Sequence, residues 1–234
     1  MTVPCREEIL TGRDHPVGGQ HMRSPARLVL MVAASIAYIA LPMAGAAQPV
    51  MSWEAESEGL VLTPEKEADI GHLSAERAKK ALAELDAAAS ERHRFHALPD
   101  AARGAYELGR FDLAAALAAE SLERAASYKG DWNYGNAIHM GHTVKGLLAL
   151  RGGNEDLAIV ELRAAGATPG SPQLDSFGPS MALARALLRA GKSEEVLRYL
   201  EQCQSFWKMG DTWLAIWDKK IRAGEVPNFL MNRW

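Results

Sequence analysis

The stretch "GHTVKGLLALRGGNEDLAIVELRAAGATP", residues 141–169, decides the fold. It consists of two segments rich in Ala and Leu that are separated by a glycine pair, by Asn154 and by two acidic residues. Ala, Leu, Glu and Arg favour helix, and the alternating β-branched residues of strands are scarce. Asn is a preferred N-cap, and acidic side chains suit the positive start of a helix. The stretch therefore predicts two helices joined by a tight turn at Gly153.

The same pattern occurs three times. Residues 101–125, "AARGAYELGRFDLAAALAAESLERA", and residues 181–203, "MALARALLRAGKSEEVLRYLEQC", also have a glycine between two helical segments. A small apolar residue follows each glycine after five positions, and another small residue precedes it by seven, which lets two helices approach closely. Ser193 is expected to cap the last of these helices, as Asn154 caps its counterpart. The turn glycines are Gly109, Gly153 and Gly191, followed by Ala114, Ala158 and Val196 and preceded by Ala102, Gly146 and Ala184.

These residues resemble the tetratricopeptide repeat (TPR) family between Ala101 and Cys203. The resemblance implies an all-α chain of antiparallel helical hairpins stacked as a short superhelical array, with repeats at about 101–125, 136–169 and 179–206. The glycines lie 44 and then 38 residues apart, against a family period of about 34. The surplus residues form two long connections, "SYKGDWNYGN" and "GATPGSPQLDSFGPS". In stacked hairpins such insertions lie on one face, which is often the binding face.

Further helices are expected on both sides of the repeats, giving one helical domain over 63–226. Thr63 and Pro64 have the pattern of an N-cap and a first helical residue, opening a helix or helix pair that runs to about Arg94. "ERHRFHAL", residues 91–98, reads as a helix end that carries cations. Asp211 is expected to cap a last helix through Ile221 that covers the end of the array. One face of that helix is expected to carry the core residues Trp213, Leu214, Trp217 and Ile221. Residues 47–62 are expected to form a flexible N-terminal segment, and residues 227–234 a loosely structured tail.

The N-terminus has the pattern of a secretory signal. An apolar run, Leu28–Leu41, follows two arginines and precedes the small residues Ala44–Ala46, so residues 1–46 are predicted to be a cleaved signal peptide whose true start is Met22. The alternative is an uncleaved anchor in the inner membrane, because about 20 apolar residues suffice to span a bilayer. The expected location is periplasmic or secreted, with no stable membrane insertion after cleavage. Cleavage would leave Cys203 alone, so no internal disulfide is expected.

The stretch "DWNYGNAIHMGHTV", residues 131–144, holds most of the polar and aromatic candidates for a site. His139 and His142 stand three residues apart on one predicted helix, yet two histidines without a third ligand are a weak metal signal. An amide, imidazoles and rings can instead bind an extended peptide. Trp132 and Tyr134 are equally suited to pinning the insertion to the scaffold. The resemblance implies that the first helix of each hairpin lines the concave groove, which places Asn136, His139 and His142 there. The residues predicted to bind a partner are Trp132, Tyr134, Asn136, His139, His142, Gln173, Asp175 and Phe177.

The function expected from these patterns is a scaffold or adaptor that binds a protein or peptide in a groove edged by the two connections. The net charge of −3 gives no footprint for nucleic acid. The chain has no Walker loop, nucleophile elbow or paired CxxC, so neither an enzyme nor a cofactor is expected. "WNYGNAIH" and "TPGSPQL" also resemble stretches of small exported bacterial repeat proteins, which implies the fold and no activity. The alternatives are a small-molecule or metal-dependent protein using His139 and His142, and a structural subunit of an envelope complex, and the oligomeric state is left open.

Overall fold

The computed structural model describes residues 64–233, and this part of the chain contains nine α-helices, one 3-10 turn and no β-strand. The prediction of an all-α protein is confirmed. Each predicted repeat contains two helices separated by three residues, and the second connection contains a further short helix. The elements are α1 (Pro64–Asp86), α2 (Glu91–Glu107), α3 (Phe111–Ala125), α4 (Tyr134–Arg151), α5 (Glu155–Gly166), α6 (Pro172–Phe177), α7 (Ala182–Arg189), α8 (Ser193–Cys203), α9 (Asp211–Arg222) and the 3-10 turn Leu230–Arg233.

Three turns of the chain have one and the same backbone geometry. Gly109, Gly153 and Gly191 have φ angles of 71°, 79° and 77°, a region that glycine enters without a steric cost. In each turn the residue after the glycine donates its N–H to the carbonyl five residues back, as in a Schellman motif. These bonds join Arg110 to Ala105 (2.8 Å), Asn154 to Ala149 (2.9 Å) and Lys192 to Leu187 (2.9 Å). The alignment of the three segments on their glycines is therefore confirmed at the level of hydrogen bonds.

Helices contact their neighbours in the chain and also helices two or three positions further along. The pairs α1–α2, α2–α3, α3–α4, α4–α5, α7–α8 and α8–α9 are in contact, and so are α2–α4, α4–α7, α5–α7 and α5–α8. The small residues predicted five positions after each turn glycine fill this interior, because burying apolar surface without voids requires a side chain that fits the gap. All three are fully buried: Ala114, Ala158 and Val196.

Three predicted helix boundaries need correction. Residues 91–98 open α2, because Ser90 caps it by accepting a hydrogen bond from the His93 N–H (3.1 Å), so "ERHRFHAL" is a helix start and not a helix end. Ser193 is the first residue of α8 and not its cap. Asp211 is likewise the first residue of α9 and not its cap. Asn154 does cap α5, accepting from the Leu157 N–H at 3.0 Å.

The tail after Pro227 is packed, contrary to the expectation of a loose segment. Phe229 is fully buried and lies edge-on against Trp217, with ring centroids 5.0 Å apart. Asn232 donates from Nδ2 to the carbonyl oxygens of Phe177 (2.8 Å) and Pro179 (3.0 Å). One large aromatic side chain and one amide therefore hold a segment whose composition alone indicated no regular structure.

The predictions for the signal peptide at 1–46 and the segment 47–62 lie outside the described residues. All of the described residues belong to one unit, residues 49–234. Within 64–233, no helix has the length and apolar character needed to cross a membrane.

Candidate binding pocket

A pocket of about 210 Å³ lies where α2, the start of α4 and the second connection meet. Segments that are far apart in the sequence form its wall, namely residues 96–100, 132–140 and 173–180. Each segment contributes both apolar and polar residues to the wall. The lining residues on which the argument depends are His96, Pro99, Asp100, Trp132, Asn136, His139, Met140, Gln173 and Leu174.

Pro99, inside α2, connects this helix to the loop before α4. Proline has no N–H, so the carbonyl of Phe95 loses the donor that it would otherwise have one helical turn later. The buried side chain of Asn133 replaces that donor, giving its Nδ2 hydrogen to the Phe95 oxygen at 3.3 Å. The amide also approaches the His96 carbonyl at 3.5 Å. The proline therefore creates an acceptor that fixes the loop against the helix at the pocket wall.

Asp131 is a buried carboxylate with four donors. Its side chain is 2% exposed, and Oδ1 accepts from His96 Nε2 (2.9 Å) and from the Asn133 N–H (2.9 Å). Oδ2 accepts from Arg92 through Nε (2.9 Å) and a terminal nitrogen (2.8 Å). Burial acts to raise the pKa of Asp131, but the donors from Asn133, His96 and Arg92 outweigh it and hold the pKa below its usual value. The carboxylate is therefore ionised and orients the His96 ring.

The two long connections bind each other at the side of the pocket. A Cβ atom on Gly135 would lie 1.8 Å from the Gly170 carbonyl oxygen, so only glycine permits this approach. Asn136 donates to Gln173 Oε1 at 2.6 Å and accepts from the Ser171 hydroxyl. Thr168 donates its hydroxyl to the Gly135 carbonyl at 2.8 Å. Residues 132–136 of the first connection therefore hold residues 168–173 of the second connection in place.

His139 lies in the interior, and the expectation that it faces a groove is corrected. The residue is 1% exposed; its Nδ1 lies 3.2 Å from the Ala165 carbonyl and its Nε2 accepts from the Ser180 N–H at 2.9 Å. Because a carbonyl only accepts and an N–H only donates, the ring is neutral with its hydrogen on Nδ1. Burial lowers the pKa of His139 to about 4. Its remaining ring edge closes the back of the pocket, and both nitrogens are occupied by the protein.

His142 belongs to a separate ion-pair cluster, three residues further along α4. Its Nδ1 lies 2.6 Å from Oε2 of Glu161, whose Oε1 is 2.8 Å from Lys145 Nζ. Glu161 is buried, so the two partners offset the cost of removing its charge from water. His142 is not among the pocket residues, and the structure does not bring it together with His139 at a shared ligand position.

The other predicted residues occupy different environments. Tyr134 packs in a small cluster around the stacked rings of Phe95 and Tyr128. Asp175 accepts the Lys208 N–H at 3.0 Å and so links the second connection to the segment after α8. Phe177 is 76% exposed beside the pocket wall. Of the eight predicted residues, the structure brings Trp132, Asn136, His139 and Gln173 to one pocket.

Sequence reasoning missed His96 and Asp100 as pocket residues, and Asp131 as the carboxylate that orients His96. A usable signal was present: Pro99 in a helical segment leaves a carbonyl that requires an outside donor, and this points to a loop packed beside residues 95–96. Among residues 64–233, no group of three or more His, Cys, Asp or Glu side chains has a metal-binding arrangement.

The chain matches no family model, no curated protein and no solved structure. The functional argument therefore depends on the chemistry of the pocket and on the arrangement of the helices around it.

Proposed function

We propose that this chain is a non-enzymatic TPR-like scaffold that binds a protein or peptide partner at the pocket between α2, α4 and the second connection. In this proposal the pairs α2–α3, α4–α5 and α7–α8 are successive hairpins of a short array, and α9 covers its end. The partner site is the polar edge that the two long connections build.

The proposal of stacked hairpins is supported by the repeated turn and by the helix contacts. Three identical glycine turns give each pair the same local geometry. Contacts between first helices, α2 with α4 and α4 with α7, accompany contacts between the second helices α5 and α8. A stack in which each hairpin touches only its neighbours produces this pattern.

The single observation that carries the binding proposal is the pocket itself. Trp132, at its rim, is 47% exposed, although tryptophan is usually largely buried. Small-molecule sites typically have volumes of about 300–1,000 Å³, and this pocket, at about 210 Å³, is smaller. It is matched in size to one side chain of a larger partner, with Trp132 and Phe177 as exposed rings for the flanking residues.

Export of the scaffold, and hence a partner outside the cytoplasm, is proposed from the signal pattern in residues 1–46. The metal-dependent alternative has less support, because both nitrogens of His139 already have protein partners.

Site-directed photocrosslinking tests the binding proposal. A photoreactive phenylalanine analogue in place of Trp132 should capture a defined partner when the full chain is expressed in its native envelope. The same analogue in place of Val160, which is 55% exposed on α5, provides the matched control. A partner captured from position 132 and not from position 160 supports the site. Equal capture from both positions, or none from either, contradicts it.

A further inference from the structure

The charged groups of the pocket are unevenly distributed. No Lys or Arg side chain of the described residues lines it, whereas Asp100 contributes a carboxylate. His139 is held neutral by its two hydrogen bonds. Asp131 lies behind the wall and is neutralised by Arg92. Among the lining residues, Asp100 therefore supplies a negative charge and no residue is a lysine or arginine.

Asp100 is positioned to receive a cation. It lies four residues after His96 on α2, so both side chains are on the same face of the helix. Its Oδ1 is 3.3 Å from an Arg103 nitrogen, but the carboxylate is 62% exposed. The Arg103 side chain is 19% exposed and pairs with Oδ1 only, so Oδ2 of the exposed carboxylate remains available to a second donor.

His96 supplies a hydrogen-bond acceptor in a fixed orientation. Its Nε2 donates to the ionised carboxylate of Asp131 at 2.9 Å, so in the neutral form of the ring the single hydrogen is on Nε2. The other nitrogen, Nδ1, then carries a lone pair and has no protein partner within residues 64–233. The bond to Asp131 thus leaves Nδ1 of the neutral His96 ring as a hydrogen-bond acceptor.

Trp132 adds an aromatic face to these acceptors. Its ring centroid lies 4.9 Å from that of His96, at an interplanar angle of 52°, so the indole borders the same space. A cation over an indole is attracted by the ring quadrupole, most strongly among the aromatic side chains. Pro99, Met140 and Leu174 provide apolar surface for an aliphatic stem.

We infer that the pocket binds the side chain of a lysine or arginine of the partner. The cationic head lies between the Asp100 carboxylate, His96 Nδ1 and the face of Trp132, and the methylene stem packs on the apolar wall. This inference rests on the proposed function, since it specifies which side chain of a protein or peptide partner enters the site.

Peptide titration tests the inference. The full chain, labelled with ¹⁵N, is titrated with Gly/Ser pentapeptides that carry one central residue. Peptides with lysine or arginine should shift the indole N–H resonance of Trp132. Those with norleucine or citrulline, which keep the shape and remove the charge, should bind at least about threefold more weakly, as expected for one partly exposed charge contact.

Two variants and one control locate the contact. Asp100→Asn and Trp132→Leu should each weaken the lysine peptide about threefold. For Trp132→Leu the shifts of neighbouring backbone amides are followed instead. Asp112→Asn removes an exposed carboxylate from the first turn of α3 and should change nothing.

The outcomes separate the two proposals. If crosslinking at position 132 captures a partner but norleucine and lysine peptides bind equally, the charge assignment is wrong and the scaffold proposal stands. If neither crosslinking nor any peptide gives a signal, both proposals are refuted. Loss of lysine selectivity in Asp100→Asn, with selectivity retained in Asp112→Asn, supports the inference.

Discussion

The neutral, buried His139 predicts a defined loss of stability in acid. Its ring is 1% exposed and its folded-state pKa is about 4, against about 6.5 for an unperturbed histidine. Between these two values the unfolded chain binds a proton that the folded chain does not. The stability due to this group is therefore complete above about pH 6.5 and is lost as the pH falls toward 4.

The magnitude follows from the pKa difference. One pKa unit corresponds to about 1.4 kcal/mol, so His139 accounts for about 3 kcal/mol in total and about 2 kcal/mol between pH 7 and pH 4.5. Gln in place of His139 has no proton to gain over this range. The free energy of unfolding of His139→Gln should be lower at pH 7, because the Ser180 N–H or the Ala165 carbonyl loses its partner, but it should fall less steeply with acid.

Urea unfolding followed by circular dichroism at pH 7 and pH 4.5 measures both effects. Lowered pKa values at carboxylates such as Asp131 and Glu120 also make the chain less stable in acid. They do so equally in both proteins, so the difference between the two slopes isolates His139. The exposed His93, changed to Gln, is the matched control and should retain the wild-type slope. If wild type and His139→Gln lose the same free energy between the two pH values, the buried neutral ring is refuted.

Two further substitutions test the packing of the connections and the tail, each by urea unfolding at pH 7. Gly135→Ala places a methyl group against the Gly170 backbone and should destabilise the fold by at least about 2 kcal/mol. Gly130→Ala, with open space around it, is the control and should have little effect. Similar losses of stability in the two variants would contradict the close approach of Gly135 to Gly170. Phe229→Ala removes a fully buried ring and should lower the free energy of unfolding by about 3 kcal/mol. Phe177→Ala removes an exposed ring and should lower it by less than about 0.5 kcal/mol. A small loss of stability in Phe229→Ala would show that the tail is not part of the core.

The helix pairs could be predicted because their signals are local. A glycine turn, its N-cap and the small residue five positions later all lie within a few residues of each other, so Gly153, Asn154 and Ala158 identify one another. The pocket could not be predicted in this way. Its wall joins His96, Trp132 and Gln173, which are far apart in the sequence and meet only after the helices pack.

His139 shows why the position of a residue on a helix can mislead. Its place on the first helix of a predicted hairpin indicated a residue that lines the groove, an expectation that assumes one packed face for this helix. The second connection packs on another face of the same helix, through the Gly135–Gly170 approach and the Ser180 N–H. A polar residue there is buried with both of its nitrogens bonded, and no periodicity count distinguishes this from exposure to a groove.

The turn before the C-terminal tail has the same glycine geometry as the other three turns. Gly224, after α9, has a φ angle of 84° and is followed by the bond from the Glu225 N–H to the Lys220 carbonyl (3.0 Å) that also characterises the other three turns. Instead of a second helix, Pro227 follows, and Phe229 fills the position five residues after the glycine.

The tail also bonds to the second connection, which lines the pocket. The Met181 N–H donates to the Asn232 carbonyl at 2.7 Å, and Asn232 in turn donates to Phe177 at 2.8 Å. The second connection, held in this way, binds Asn136 through Gln173 at 2.6 Å. We therefore expect the position of the second connection to depend on the tail. A change at Asn232 should alter the pocket through Gln173, although Asn232 is not one of its lining residues.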